Sequence, residues 1–154
     1  VEHCLEIGTF TGYASLCLAM GIPASGKLTS IEINEELSYF HDKYILNHEL
    51  GKKINIIYGN ANDIIPGIDK EFDLVFLDAR KSDYITQYEQ ILAKTRKGAI
   101  IIADNVLWKS EVISETKGKM AQNLDEFNKY IYRDTRVKNL ILPLRDGLNL
   151  MIKN

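Results

Sequence analysis

Three oxygen-bearing side chains follow two strongly apolar segments of this sequence. Asp78 comes directly after Phe72–Leu77. Asp104 and Asn105 come directly after Ala99–Ala103. Because such segments are typical of buried, neighbouring strands, we expect the three side chains to converge at one edge of a sheet. Two carboxylates and one amide suit Mg²⁺ and leave positions for water and substrate. The alternative is that Asp104 and Asn105 only cap a turn.

Lys81 lies three residues beyond Asp78, in the loop before the next predicted helix. Its ammonium could reach the same edge and hold or remove a substrate proton. The alternative is an ordinary solvated lysine in a charged loop. The three histidines offer no competing site, since His3 lies in a predicted strand and His41 and His48 on a predicted helix surface. A zinc-type site is therefore disfavoured.

The first turn of the chain reads Glu6-Ile7-Gly8-Thr9-Phe10-Thr11-Gly12-Tyr13. Gly8 would let the backbone approach a ligand, but the spacing lacks the G-x-G-x-x-G pattern of dinucleotide sites. Glu6 would repel a phosphate and suits a cationic ligand. Glu32, at the end of the second predicted strand, can accept hydrogen bonds from a ribose diol. The alternative is that the glycines only form a tight turn and Glu32 is a surface acid.

Strand-like and helix-like segments alternate along most of the chain. The predicted strands are Val1–Ile7, Lys27–Ile33, Lys53–Tyr58, Phe72–Leu77, Ala99–Ala103, Val137–Leu144 and Leu148–Ile152. Arg145-Asp146-Gly147 predicts a turn between antiparallel strands, and Lys97-Gly98 a turn into the fifth strand. We therefore expect a doubly wound α/β fold with a mostly parallel seven-stranded sheet and an antiparallel C-terminal hairpin.

Apolar residues at helical spacing predict the layers that cover this sheet. One helix is expected from its N-cap Asn34 to about Glu49, ending at Gly51. The remaining apolar sets are Tyr13, Leu16, Cys17 and Met20; Tyr84, Tyr88, Ile91 and Leu92; and Leu124, Phe127 and Ile131.

The 154 residues fit a single domain, and 45% of them are apolar. A formal net charge of −2 shows no basic excess of the kind that favours nucleic acid. No apolar run approaches the roughly 18 residues that a membrane span needs. Cys4 and Cys17 lie in apolar periodic segments, so we expect core thiols, a reducing compartment and a cytoplasmic protein.

The runs Leu5–Tyr13 and Ser30–Asn34 resemble the S-adenosylmethionine (SAM) site of the class I, Rossmann-like methyltransferases. The resemblance implies cofactor contacts by Glu6, Gly8, Thr9, Phe10, Ala14, Glu32, Ala61, Asn62 and Asp78. Within this set Glu6 would lie near the amino end of the cofactor, Glu32 at the ribose, and Ala61 and Asn62 at the adenine. Ala14 departs from the family pattern, because many relatives have a serine there that binds the cofactor carboxylate.

The run Phe72–Asp78 with Lys81, followed by Ile102–Trp108, is similar to the cation-dependent O-methyltransferases. These include catechol and caffeoyl-CoA O-methyltransferases and small bacterial relatives. The resemblance implies Asp78, Asp104 and Asn105 as ligands of Mg²⁺ (or Mn²⁺ or Ca²⁺), Lys81 and Asp78 as catalytic residues, and Trp108 as a wall of the acceptor pocket. Arg80 replaces an acid that is common in the family, which bears on the choice of acceptor.

The resemblance extends over residues 1–154 and implies one methyltransferase domain, expected to lack the N-terminal helices of its relatives. The implied reaction is cation-dependent transfer of a methyl group from SAM to a hydroxyl of a catechol-like small molecule, by a homodimer. A second possible acceptor is 5-hydroxyuridine in the tRNA anticodon, which Lys109, Lys117 and Lys119 could help to bind. Two different functions also compete with methyl transfer: that of an NAD(P)-dependent oxidoreductase and that of a non-catalytic binding domain.

Overall fold

A seven-stranded sheet in the order β3-β2-β1-β4-β5-β7-β6 runs through the computed structural model, which describes residues 1–154. The strands are β1 His3–Ile7, β2 Lys27–Glu32, β3 Ile54–Tyr58, β4 Phe72–Leu77, β5 Thr95–Asp104, β6 Val137–Leu142 and β7 Leu148–Lys153. The first five strands pair in parallel, and β7 pairs antiparallel with β5 and β6. The predicted doubly wound α/β fold and its C-terminal hairpin are therefore confirmed. The strand order reverses between β1 and β4, which is where such sheets bind ligands.

Helices cover both faces of the sheet. They are α1 Tyr13–Gly21, α2 Ser38–His41, α3 Ala61–Ile64, α4 Tyr84–Ala93 and α5 Lys119–Arg133. Successive strand residues point to opposite faces, so Leu5 joins the larger core cluster, which includes α4 and α5 residues. Cys4 joins a smaller cluster that includes Ala19 of α1. No helix of the protein is both long and apolar enough to cross a membrane.

The helix expected between Asn34 and Glu49 is broken into short pieces, so that prediction is wrong in its extent. Asn34 does act as an N-cap, since its side chain accepts a hydrogen bond from the N–H of Glu36 at 3.1 Å. A 3-10 turn, α2 and a π-helical segment, Asp42–Leu46, then follow in succession. Gly51 begins another 3-10 turn, and a Cβ there would lie 2.3 Å from the carbonyl oxygen of Leu46.

Two further expectations are corrected. β5 begins at Thr95, four residues before the predicted start at Ala99, and it incorporates Gly98 with a left-handed φ of 80°. The pairing of β4 with β5 shifts its register between Phe72 and Leu74. The turn predicted at Lys97-Gly98 is therefore an irregularity inside β5. Cys17 is exposed, whereas Cys4 is buried as expected. Helical spacing alone does not say which edge of an apolar stripe meets the sheet.

Gly8 allows two main-chain segments to pack closely together beneath the site. Its φ is 99°, and a Cβ there would lie 2.0 Å from the carbonyl oxygen of Asp78. The N–H of Asp78 donates to the carbonyl of Ile7 at 2.9 Å. Because only glycine has no Cβ, Gly8 lets the turn after β1 and the turn after β4 pack directly together.

Candidate functional site

A cavity opens at the carboxyl ends of β1 to β4, at the reversal of strand order. Of the residues expected to contact a cofactor, Gly8, Phe10, Glu32, Ala61 and Asp78 line it, and Arg80 lines it as well. The structure therefore brings together five of the residues expected to contact a cofactor. The remaining four, Glu6, Thr9, Ala14 and Asn62, lie outside the cavity lining.

Glu32 presents a fixed carboxylate to this cavity. It is only 6% exposed, which excludes the alternative of a simple surface acid. Its Oε2 accepts a hydrogen bond from the N–H of Phe10 at 2.7 Å, and its Oε1 accepts one from the N–H of Asn34 at 2.8 Å. A carboxylate has about four lone-pair positions, so both oxygens can still accept hydrogen bonds from a ligand diol.

Glu6 lies beneath the turn rather than on the cavity wall. Its side chain is fully buried, and Oε2 accepts hydrogen bonds from Ser15 Oγ and from Ser30 Oγ. Thr9, 2% exposed, hydrogen-bonds to the same Ser30 hydroxyl at 2.5 Å. Glu6 Oε1 has no partner. Burial raises the pKa of Glu6 to about 7, nearby carboxylates add to the rise, and the two serines oppose it.

Asn62 is turned away from the cavity because α3 begins just before it. Asn60 is the N-cap of α3, and its side chain accepts a hydrogen bond from the N–H of Asn62 at 3.0 Å. The carbonyl of Asn62 accepts one from Gln90 of α4 at 2.9 Å. Asn60, rather than Asn62, lines the cavity.

Lys81 joins the ends of β4 and β5. Its Nζ donates to Asp78 Oδ1 at 2.8 Å, to the hydroxyl of Tyr84, and to the carbonyl of Asp104 at 3.3 Å. Lys81 is only 8% exposed, so the alternative of a solvated lysine is excluded. The Tyr84 hydroxyl also contacts the carbonyls of Leu77 and Asp104, at 3.1 and 2.9 Å. A buried cation is thus held by the carboxylate of Asp78 and by the main-chain oxygen at the end of β5.

Asp104 and Asn105 stand at the other side of this network. Asp104 Oδ1 accepts a hydrogen bond from the N–H of Asn105 at 2.6 Å, and Asn105 has a left-handed φ of 60°. Burial raises the pKa of Asp104, and the negative charge of Asp78 contributes to the rise. A cation shared by Asp78 and Asp104 would relieve that repulsion.

The donor set at this point fits a hard divalent ion only if an amide takes part. No group of three or more His, Cys, Asp or Glu side chains in the structure could hold a metal ion. Asp78 and Asp104 supply two carboxylates, so a third protein oxygen would come from Asn105. Carboxylate, amide and water oxygens are the ligands of Mg²⁺, which keeps several of its waters in proteins.

Trp108 opens a left-handed turn beyond this site. Trp108, Lys109 and Ser110 have φ values of 46°, 53° and 64°. Asp146 of the C-terminal hairpin holds the turn, because its side chain accepts from the N–H of Lys109 and its carbonyl from that of Leu107. Trp108 packs against the larger core cluster and does not line the cavity.

Sequence reasoning missed two buried polar residues of this region. Gln87 lines the cavity, is 3% exposed, and its Oε1 has no partner. It lies on the inner face of α4 with Tyr84 and Tyr88, so helical spacing could have found it. His41 is fully buried instead of lying on a helix surface. No sequence signal marks the burial of His41, because its orientation depends on the change from 3-10 to α-helical to π-helical turns after Asn34.

Comparison with known proteins identifies relatives along the whole chain. The family model described as O-methyltransferase matches residues 1–154. Caffeoyl-CoA O-methyltransferase of Populus kitakamiensis is 34% identical over 97% of this chain and 68% of that protein. Catechol O-methyltransferase of Niastella koreensis is 31% identical over 98% of this chain and 73% of that protein. The crystal structure of an O-methyltransferase from Bacillus cereus in complex with SAH superposes with a TM-score of 0.92 at 28% identity, over 99% of this chain and 74% of that one.

Proposed function

Because this chain belongs to the O-methyltransferase family and is a SAM-dependent O-methyltransferase, we propose that it methylates a hydroxyl of a catechol-like molecule with the help of a divalent cation. The observation that carries the proposal is the buried Lys81, which donates to the carboxylate of Asp78 in the cavity wall and to the main-chain carbonyl of Asp104 at the end of β5. Relatives named for catechol and caffeoyl-CoA substrates support this acceptor class.

We assign the cavity to SAM. Glu32, with free lone pairs on both oxygens, suits the two ribose hydroxyls. Asp78 supplies negative charge for the positively charged methionine end. Ala61 borders the adenine, and Gln87, with its unpartnered oxygen, suits the adenine amino group. Glu6 supports the turn from below, and its own charge depends on pH near neutrality.

Asp78, Asp104 and Asn105 would hold the divalent ion, and their oxygen donors suit Mg²⁺, Mn²⁺ and Ca²⁺ alike. When bound, such an ion lowers the pKa of a hydroxyl that coordinates it and orients the acceptor. Two adjacent hydroxyls give the acceptor two points of attachment, and orientation of this kind contributes roughly 7–11 kcal/mol to catalysis in favourable cases.

Lys81 is the residue we assign to the proton of the acceptor. As an ammonium, its Nζ stabilises negative charge that develops on the attacking oxygen, and as a neutral amine it accepts the proton there. Its contacts with Asp78 and Tyr84 hold Nζ in place. Trp108, at the left-handed turn after Asn105, would form a wall for the flat acceptor ring.

Two substrates and one variant test this assignment. With labelled SAM as the methyl donor, the protein should methylate catechol but not phenol, which lacks the second hydroxyl. Asp104→Ala should abolish the transfer yet keep the Kd for SAH within about threefold, since Asp104 does not line the cofactor cavity. Asp69→Ala, an exposed acid away from this network, is the matched control and should retain full activity. Equal methylation of phenol and catechol, or an active Asp104→Ala, would contradict the proposal.

The alternative acceptor, a hydroxylated uridine of tRNA, has weaker support. Of the three lysines that could contact phosphates, Lys117 is paired with Asp125 at 2.5 Å, which reduces its availability. Binding to nucleic acid weakens steeply with salt, whereas binding of a small phenol does not. The salt dependence of methyl transfer to tRNA and to catechol therefore separates the two acceptors.

The cellular setting and the assembly stay predictions. The two cysteines form no disulfide, which is compatible with the reducing cytoplasm expected from the sequence. The expectation of a homodimer and the expectation of N-terminal helices in the relatives both rest on the family resemblance. The chain spans 68% of the length of the Populus relative. Light scattering would measure the assembly.

A further inference from the structure

His41, a buried histidine, connects the glycine turn to the end of β3. Its side chain is fully shielded from solvent. Nε2 lies 2.5 Å from the main-chain oxygen of Phe10, and Nδ1 lies 2.8 Å from the phenol oxygen of Tyr58. The two rings lie nearly parallel, with an angle of 20° between their planes. His41 thus links two segments that do not pair directly in the sheet.

The donors and acceptors of this link can be assigned from their chemistry. The carbonyl of Phe10 can only accept, so Nε2 of His41 carries the hydrogen. In the neutral imidazole Nδ1 then accepts from the hydroxyl of Tyr58. Burial raises the pKa of Tyr58, and nearby carboxylates add to the rise, so the phenol keeps its proton. Each group of the link therefore has one defined partner.

The residue that His41 holds has an unusual backbone. Phe10 has a φ of 46°, a left-handed conformation that bulky residues rarely adopt. Its N–H donates to Glu32 Oε2 at 2.7 Å while its carbonyl meets His41. Gly12 at the other end of the turn packs on Ile45 of the π-helical segment, where a Cβ would lie 2.6 Å from that side chain. The end of α2 and the π-helical segment after it therefore support the two ends of the turn, and π-helical turns are frequent at functional sites.

We propose that His41 is a positioning residue for SAM binding, acting through Phe10 on Glu32. It holds the carbonyl of Phe10, which keeps the N–H of Phe10 directed at Glu32 and so orients that carboxylate in the cavity. The inference rests on the assignment of the cavity to SAM. Without His41, Phe10 is free to leave its left-handed conformation and Glu32 loses one of its two fixed donors. Cofactor affinity then falls, while the methyl-transfer step at Asp78 and Lys81 is unaffected.

Four variants test this role. His41→Leu should weaken the Kd for SAH about tenfold and raise the KM for SAM by the same factor, with kcat changed by less than about twofold. His41→Gln, whose amide can still donate to Phe10, should recover most of the affinity. Tyr58→Phe removes only the hydroxyl and should weaken binding about two- to threefold. The control is His48→Gln, since the exposed side chain of His48 only accepts a hydrogen bond from the N–H of Leu50.

Calorimetry with SAH and thermal unfolding separate positioning from a general structural role. A residue that only stabilises the fold would lower the Tm without changing the Kd of the folded protein. Unchanged Kd in a folded His41→Leu variant would overturn the proposal. If His41→Leu does not fold, wild-type affinity in both His41→Gln and Tyr58→Phe would overturn it, and a graded loss would support it. Failure of the wild-type protein to bind SAH would overturn the cavity assignment itself.

Discussion

The buried carboxyl of Glu6 should make stability depend on pH near neutrality. Burial raises its pKa from 4.5 to about 7. A group whose pKa is higher in the folded state stabilises the fold below its unfolded pKa, and this stabilisation is lost as the pH rises through the folded value. At 1.36 kcal/mol per unit the shift corresponds to about 3 kcal/mol, of which about 2 kcal/mol falls between about pH 5.5 and about pH 8.5.

The pH window is chosen so that other shifted groups do not interfere. The pKa values of Asp73 and Asp134 are lowered to about 2, so their contributions are lost only in acid. The buried thiol of Cys4 has its pKa raised from 9.0 to about 12, so it matters only in alkali. Contributions that the wild type and Glu6→Gln share cancel when the two proteins are compared.

Urea unfolding of the two proteins across this window is the measurement. Glu6→Gln keeps an acceptor for Ser15 and Ser30 but cannot ionise. The difference in unfolding free energy, wild type minus variant, should fall by about 2 kcal/mol from about pH 5.5 to about pH 8.5. Parallel pH curves would refute the reasoning, because they would mean that Glu6 has the same pKa in the folded and unfolded states.

Three further substitutions test separate parts of the site. Gly8→Ala should lower the unfolding free energy by about 2–4 kcal/mol in urea titrations, because its Cβ would collide with the carbonyl of Asp78. The control is Gly67→Ala, which has open space around its Cβ and should change the unfolding free energy by less than about 1 kcal/mol. Lys81→Met should lower kcat by about 100-fold or more with little change in the Kd for SAH, and an unchanged kcat would remove its catalytic role. Gln87→Leu should weaken SAH binding about three- to tenfold in calorimetry, and wild-type affinity would show that its amide does not meet the adenine.

The sheet and the edge that carries the candidate site could be predicted because they depend on short-range patterns. The apolar run Phe72–Leu77 is a central strand, and the carboxyl ends of parallel neighbours meet at one edge. This is why Asp78, Lys81 and Asp104 were expected together, and the structure joins them through one lysine. The missing third glycine of a dinucleotide pattern also pointed away from an oxidoreductase, in agreement with the family.

The residues that sequence reasoning misplaced depend on the exact path of the chain. His41 was expected on a helix surface because the N-cap at Asn34 and the glycine at position 51 predict one continuous helix between them. The 3-10 and π-helical turns rotate that face inward, and no residue type announces such a change. Asn62 was expected beside the cofactor, but Asn60 lines the cavity instead. Asn60 lies two residues earlier and caps the helix to which Asn62 belongs.

Methyl transfer to catechol before and after removal of metal tests the central claim most directly. The claim is that Asp78, Asp104 and Asn105 bind one divalent ion beside SAM. After treatment with a chelator, the wild-type protein should transfer labelled methyl groups at less than about 1% of its original rate, and added Mg²⁺ should restore it. A full rate in excess chelator, with SAH binding intact, would contradict the account.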